Sequence, residues 1–165
     1  MNLSGIPELQ KPRLYFAAPL FSDAERRFNE ELVAELRLFF DVYLPQQDGG
    51  LLVNMVANGV QPKAAANVVF NLDVIEVKKC TVLLIILDGR TVDEGAAFEL
   101  GYAYALGKRC IGLQTDPRRM ILAANNPMID CALEHVFTNV SALLAWARAA
   151  VDVPQRVMHV GEPNC

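Results

Sequence analysis

The run Cys80-Thr-Val-Leu-Leu-Ile-Ile-Leu87 constrains the fold more than any other part of the chain. Apart from Thr81 it is apolar without a break, so it offers water no polar face. A short strand of this kind is buried on both sides, as in a parallel sheet covered by helices. It is far too short to cross a bilayer, which takes about 20 apolar residues. The Asp88-Gly-Arg90 loop follows, and then a helix from about Asp93 to Leu106, with Gly107 placed to terminate it.

The same alternation extends along the chain. Arg13–Ala18 reads as a strand ended by Pro19. Ser22 or Asp23 caps a helix that carries Glu25 in its first turn and Phe28, Leu32, Leu36 and Phe39 at helical spacing, ending near Phe40. Asp41–Leu44 is a short strand stopped by Pro45. Residues 45–62 read as a long irregular segment with one helical turn near Leu52–Ala57. Lys63–Lys79 is helical, with Ala65, Val69, Leu72 and Glu76 on successive turns. Arg109–Gln114 is a further strand, 115–130 a polar loop, Glu134–Phe137 a short last strand, and Val140–Ala150 a final amphipathic helix. The fold class expected is α/β: a doubly wound, flavodoxin-like (Rossmann-like) sheet of about five parallel strands with helices on both faces. Residues 1–12 read as a flexible leader, 13–150 as a single domain and 151–165 as a tail.

Hydrophobic residues make up 53% of the 165, enough to cover a sheet on both faces. The 15 basic residues are scattered against 19 acidic ones, for a net charge of -4, which argues against a nucleic-acid polymer as partner. Cys80, Cys110, Cys131 and Cys165 form no Cys-x-x-Cys pair and read as reduced thiols. His135 and His159 lack ligand spacing, so no metal is expected. The N-terminal residues lack signal-peptide features, and the location expected is cytoplasmic. Neither a dinucleotide fingerprint nor a P-loop is present.

The chemistry centres on residues 91–103. Thr91 and Glu94 have the spacing of a capping box, while Asp93 is an alternative N-cap. Glu99 shares a helix face with Gly95, Ala96, Tyr102 and Ala103, and small residues lie on the side toward which it leans. Gly101 weakens a helix interior by about 1 kcal/mol relative to alanine, which suggests close approach of another backbone. Asp73 follows Asn71 inside the apolar stretch Val68–Ile75, where an acid must be solvated, paired or functional.

Tyr15-Phe-Ala-Ala-Pro-Leu-Phe21 with Ala24-Glu-Arg-Arg-Phe-Asn29, Asn71-x-Asp73, Asp93-x-Gly-x-x-x-Glu-x-Gly-Tyr-Ala103 and Asn126-Pro-Met128 occur in one order over residues 13 to about 130. Together they resemble the motifs of the nucleoside 2-deoxyribosyltransferases, nearest to the type that accepts both purines and pyrimidines. The resemblance implies transfer of a 2-deoxyribosyl group between nucleobases in nucleoside salvage, without metal or organic cofactor. Glu99 would be the nucleophile and form a covalent glycosyl ester, so that two displacements retain configuration. Tyr15 would hydrogen-bond that nucleophile. Asp73 and Asp93 would hold the base, one of them supplying its proton. Gln46 or Gln47 would read the base. Phe16, Ala18, Phe21 and Gly95 fall with these as substrate-binding positions. Asn126 and Met128, with Asn125 leaving the register open by one, would come from a neighbouring subunit of a homo-oligomer, a hexamer built from dimers. The partners implied are nucleosides and nucleobases, with no membrane.

Two other readings compete. A 2′-deoxynucleoside 5′-monophosphate N-glycosidase of the same superfamily would use water as acceptor and need phosphate donors near the first loop. Ala18-Pro-Leu-Phe-Ser22 is apolar there, and Ser22, Arg26 and Arg27 read as cap and solvated face. A non-catalytic nucleotide sensor on the same fold would lack the acids present here at Glu99, Asp93 and Asp73.

Overall fold

The computed structural model describes residues 10–49, 52–116 and 125–152. The leader expected at 1–12 and the tail at 151–165 thus lie largely outside the described residues. Five strands, β1 (Arg13–Ala17), β2 (Asp41–Tyr43), β3 (Val82–Ile86), β4 (Arg109–Leu113) and β5 (His135–Phe137), form one sheet in the order β2-β1-β3-β4-β5. Every neighbouring pair is parallel. The chain runs from β1 outward to β2 and then back across to β3, so the strand order reverses beside β1. Ligands of open α/β sheets bind at the carboxyl ends of the strands at such a point.

Strand periodicity divides the core into two layers. Val82, Leu84 and Ile86 face one side with Leu14, Phe16 and Val42, and are covered there by Leu32, Val33 and Leu36 of α1 (Asp23–Leu36) and Leu143 and Ala147 of α7 (Val140–Asp152). Leu83 and Ile85 face the other side with Tyr15, Ala17 and Tyr43. Val77 of α4 (Pro62–Lys79) and Ala96, Leu100 and Ala103 of α5 (Glu94–Ala105) cover that side. The continuous apolar run of β3 is therefore what a central strand under two helix layers requires.

Local chemistry sets the ends of the elements. Ser22 and Glu25 form a reciprocal capping box at the start of α1. α1 stops at Leu36 rather than near Phe40. The turn after it returns Phe40, 2% exposed, to the core, while Leu38 is left 68% exposed. The irregular segment expected over 45–62 is instead largely helical. Pro45 opens α2 (Pro45–Asp48), since proline suits a first helical position, and α3 is Leu52–Ala57. α6 (Pro127–Asp130) is a single turn. Gly107, with φ 68°, closes α5 as Lys108 N–H reaches back to the Ala103 carbonyl.

On α4, Ala65 is buried and Val69 and Glu76 are half-buried, with Val77 buried beside them, whereas Val68, Leu72 and Ile75, spaced i, i+4 and i+7, are 45%, 38% and 44% exposed. A helix that is apolar nearly all round does not reveal its inner face by periodicity. On α5, no described residue approaches within 4 Å of where a Gly101 side chain would begin, so the close backbone contact expected there is not made within this chain.

Candidate active site

The site is built where α4 and α5 cross the side of the sheet that carries Tyr15 and Tyr43. Parallel pairing sets Tyr15 of β1 directly beside Tyr43 of β2, and their rings stack at 5.4 Å between centroids and 28° between planes. Both phenols reach toward helix acids. Tyr15 Oη donates to Glu99 Oε1 at 2.6 Å, and Tyr43 Oη donates to Asp73 Oδ1 at 3.2 Å. Tyr43 was not legible as a site residue, because nothing in its own neighbourhood reveals the register that sets it against Tyr15.

Asp93, not Thr91, is the N-cap of α5, and its Oδ1 accepts the Ala96 N–H at 2.8 Å. Gly95 serves that arrangement. A side chain there would place its first carbon 3.1 Å from Asp93 Oδ1. Burial raises the Glu99 carboxyl to about 8; the Tyr15 hydrogen bond acts against this, and the charges of Asp73 and Asp93 add to it. Burial also raises Asp73, opposed by the Tyr43 hydrogen bond and reinforced by Glu76. The Tyr15 and Tyr43 hydroxyls are raised as well, first by burial and then by the acids they face. Tyr15, Asp73 and Glu99 are thus brought together, and Asp93 is near enough for its charge to bear on the Glu99 carboxyl. Perturbation of this kind marks functional sites more often than structural ones.

Other residues singled out from the sequence lie elsewhere. Phe16 is fully buried in the layer under α1 and α7, on the opposite face of β1 from Tyr15. Adjacent strand residues point to opposite faces, so its side chain is core. Gln46 and Gln47 are engaged within the chain. The Gln46 amide is buried and tied to α1: its Nε2 donates to the Arg26 carbonyl and to Glu30, and its Oε1 accepts from Asn29. The Gln47 amide is exposed and accepts from Arg37. Ala18 and Phe21 flank the first loop, and Phe21 is 75% exposed.

Asn125 and Asn126 separate in role. Asn125 exchanges paired hydrogen bonds with Gln114 and donates to Asp130, which fixes the loop. Asn126 caps α6, and Met128 projects from it, 81% exposed. The first loop is also internally held. Glu25 accepts the N–H groups of Phe21 and Ser22, while Arg26 donates to the Leu20 and Phe21 carbonyls and pairs with Asp23.

Two clefts open at the carboxyl end of the sheet. One, of about 310 Å³, lies between the 89–92 loop and Asn125, Asn126 and Ile129. The other, of about 350 Å³, lies between Glu25 and Phe28 of α1 and Asp88, Thr115 and Asp116. Neither of these two clefts is lined by Glu99 or Asp73. No described helix is long and apolar enough to cross a membrane.

Comparisons with known proteins agree with this geometry. A conserved protein of Enterococcus faecalis is 28% identical, with a TM-score of 0.70 over 85% of this chain and 99% of its own. The 2-deoxyribosyltransferase of Bacillus psychrosaccharolyticus shares the fold at 21% identity and a TM-score of 0.63, over 88% of this chain and 99% of its own. The CMP N-glycosidase of Clostridium botulinum shares it at 17% and 0.52, over 84% and 98%. Curated protein sequences yielded no significant match. The sequence profile described as nucleoside 2-deoxyribosyltransferase matches residues 14–155, a span that includes both tyrosines and all three acids. This chain therefore belongs to the nucleoside 2-deoxyribosyltransferase family.

Proposed function

We propose that the chain transfers a 2-deoxyribosyl group from a nucleoside to a second nucleobase by retaining double displacement. The observation that carries this reading is the short hydrogen bond from Tyr15 to Glu99, with Asp73 and Asp93 beside the same carboxyl. A carboxyl oxygen of Glu99 attacks C1′ of the donor, and the C1′–N bond breaks with its electron pair passing to the base. A neighbouring acid protonates that base as it leaves. The glycosyl ester on Glu99 is then opened by a nitrogen of the incoming base, whose proton returns to the acid. The transition state has oxocarbenium character, which a carboxylate beneath the ring stabilises. Asp73 is the better proton donor of the two aspartates. Burial helps it keep a proton, whereas Asp93 Oδ1 is engaged as a hydrogen-bond acceptor at the cap.

The first loop favours a nucleoside over a nucleotide. A 5′-phosphate needs open N–H and guanidinium donors there. Here the Phe21 and Ser22 N–H groups are taken by Glu25, and Arg26 is engaged with loop carbonyls and Asp23. This arrangement supports transfer between bases over hydrolysis of a 5′-monophosphate.

Assembly enters the same proposal. A second copy of the chain would cover the exposed stripe Val68, Leu72 and Ile75 and the contacting aromatics Phe70 and Phe98, and would bring Met128 and Asn126 to its neighbour's acids. The free, buried thiols of Cys80 and Cys110 suit the reducing cytoplasm.

Incubation with 2′-deoxyuridine and adenine is expected to yield 2′-deoxyadenosine. Mass spectrometry of the donor-only mixture is expected to find a pentose on the peptide containing Glu99. A protein that releases free base only from 2′-deoxynucleoside 5′-monophosphates would refute the transferase reading.

A further inference from the structure

The pairing of β1 with β2 sets two tyrosine–carboxylate pairs side by side, and only one of them belongs to the nucleophile. Tyr43 is 7% exposed, lies flat against Tyr15, and presents its hydroxyl to Asp73 Oδ1 at 3.2 Å. Among the described residues no other side-chain hydrogen bond to Asp73 is made, so this contact orients its carboxyl through Oδ1. The position is further built by Gly49 after α2. A side chain there would begin 3.1 Å from the Tyr43 hydroxyl and 2.7 Å from the Pro45 carbonyl oxygen, so the backbone closes over the phenol only because residue 49 lacks one.

We propose that Tyr43 is the positioning residue of the acid that exchanges a proton with the nucleobase. Tyr43 orients Asp73 as Tyr15 orients Glu99. This rests on the transferase reading and adds to it a division of labour between the two phenols.

The chemistry follows from the hydrogen bond. Protonated Asp73 gives its proton to the departing base and becomes a carboxylate, the form that a donated O–H stabilises. When the second base attacks C1′, the same carboxylate receives that base's proton, and Tyr43 remains its donor. The hydroxyl therefore holds one oxygen still in both half-reactions and eases the first proton transfer. The groups acting on Asp73 and the neighbouring Glu99 are Glu76 on α4, Asp93 at the start of α5, the two carboxyls on each other, and the two phenols on β1 and β2.

The test is a double-mutant cycle. Tyr43→Phe keeps the ring and its stacking on Tyr15 and removes only the hydroxyl. Base release from 2′-deoxyuridine in a single turnover is expected to slow about 5- to 10-fold, the effect of one such hydrogen bond. The alkaline limb of its pH profile is expected to move upward by about half a pH unit. In an Asp73→Asn background the same Tyr43→Phe change is expected to alter the rate less than about 2-fold, because the acid it serves is gone. An equal loss in both backgrounds would make Tyr43 a packing residue and overturn the proposal. So would a Tyr43→Phe enzyme as fast as the native one, and that result would leave the transferase reading standing. A native enzyme that releases no base from any deoxynucleoside would remove both.

Discussion

Glu99→Gln should abolish transfer and, at neutral to alkaline pH, make the protein more stable. The native carboxyl titrates near 8 instead of its ordinary 4.5, because burial disfavours its charge. Between those values the folded chain holds a proton that the unfolded chain has already lost. Stability contributed by the neutral form is complete below the unfolded value and falls as pH rises toward 8. Each tenfold change in proton affinity corresponds to about 1.4 kcal/mol, so the full displacement sets a ceiling of about 5 kcal/mol. Solvent reaching this partly exposed side chain, and the coupling to Asp73, reduce the expectation to about 2 kcal/mol. Glutamine keeps an oxygen for the Tyr15 hydroxyl and carries no charge at any pH. Urea denaturation of both proteins at equal concentration should therefore give similar midpoints near pH 4.5 and diverge by about 2 kcal/mol at pH 8, or about 4–8 °C in Tm for a domain of this size. Equal stability at pH 8 would mean that Glu99 is not held in the desolvated setting from which its reactivity is argued. A constant gain at both pH values would point to a packing effect instead.

Further outcomes follow from the same geometry. The pH profile of kcat/KM should climb toward about pH 8 as Glu99 ionises. Tyr15→Phe should move that climb to higher pH and lower the plateau about 10- to 100-fold, the worth of a hydrogen bond to a charged group. An unmoved ascending limb would assign it to another group. Gly112→Val should cost about 2 kcal/mol by overpacking, since even the first side-chain carbon would lie 3.0 Å from Leu87 Cδ1 and 3.1 Å from Leu133 Cδ1. Thermal unfolding checks this, and an unchanged Tm would show that those two leucines move aside freely.

What the sequence reveals and conceals here has physical causes. β3 is legible because burial on both faces leaves no ambiguity, and Asp93 and Glu99 are legible because cap and helix spacing are local properties. Strand alternation sends Phe16 and Tyr15 to opposite layers, a separation that a contiguous motif does not display. Gln46 is set by Asn29, Glu30 and the Arg26 carbonyl, all on another element, so no reading of its own segment reveals them. Tyr43 needs the β1–β2 register, and the outer face of α4 needs the position of the sheet.

On the proposed reading, transfer and assembly would be linked through water. For the sugar to reach a second base, the ester on Glu99 must outlast attack by water at C1′, which would release 2-deoxyribose and regenerate the carboxyl group. In the single chain Glu99 is only partly buried, and the helix that carries Asp73 also carries the uncovered stripe Val68, Leu72 and Ile75. A second copy seated on that stripe would shield the acids and favour the base as nucleophile. Ile75→Asp tests the link without placing charge beside Asp73, because residues two apart on a helix point away from each other. Sedimentation velocity should show a smaller species with helical circular dichroism retained. The ratio of free sugar to new nucleoside should rise several-fold in that species. A smaller species with an unchanged product ratio would locate water exclusion within one chain, and a native protein that is already monomeric would remove the stripe from the reaction altogether.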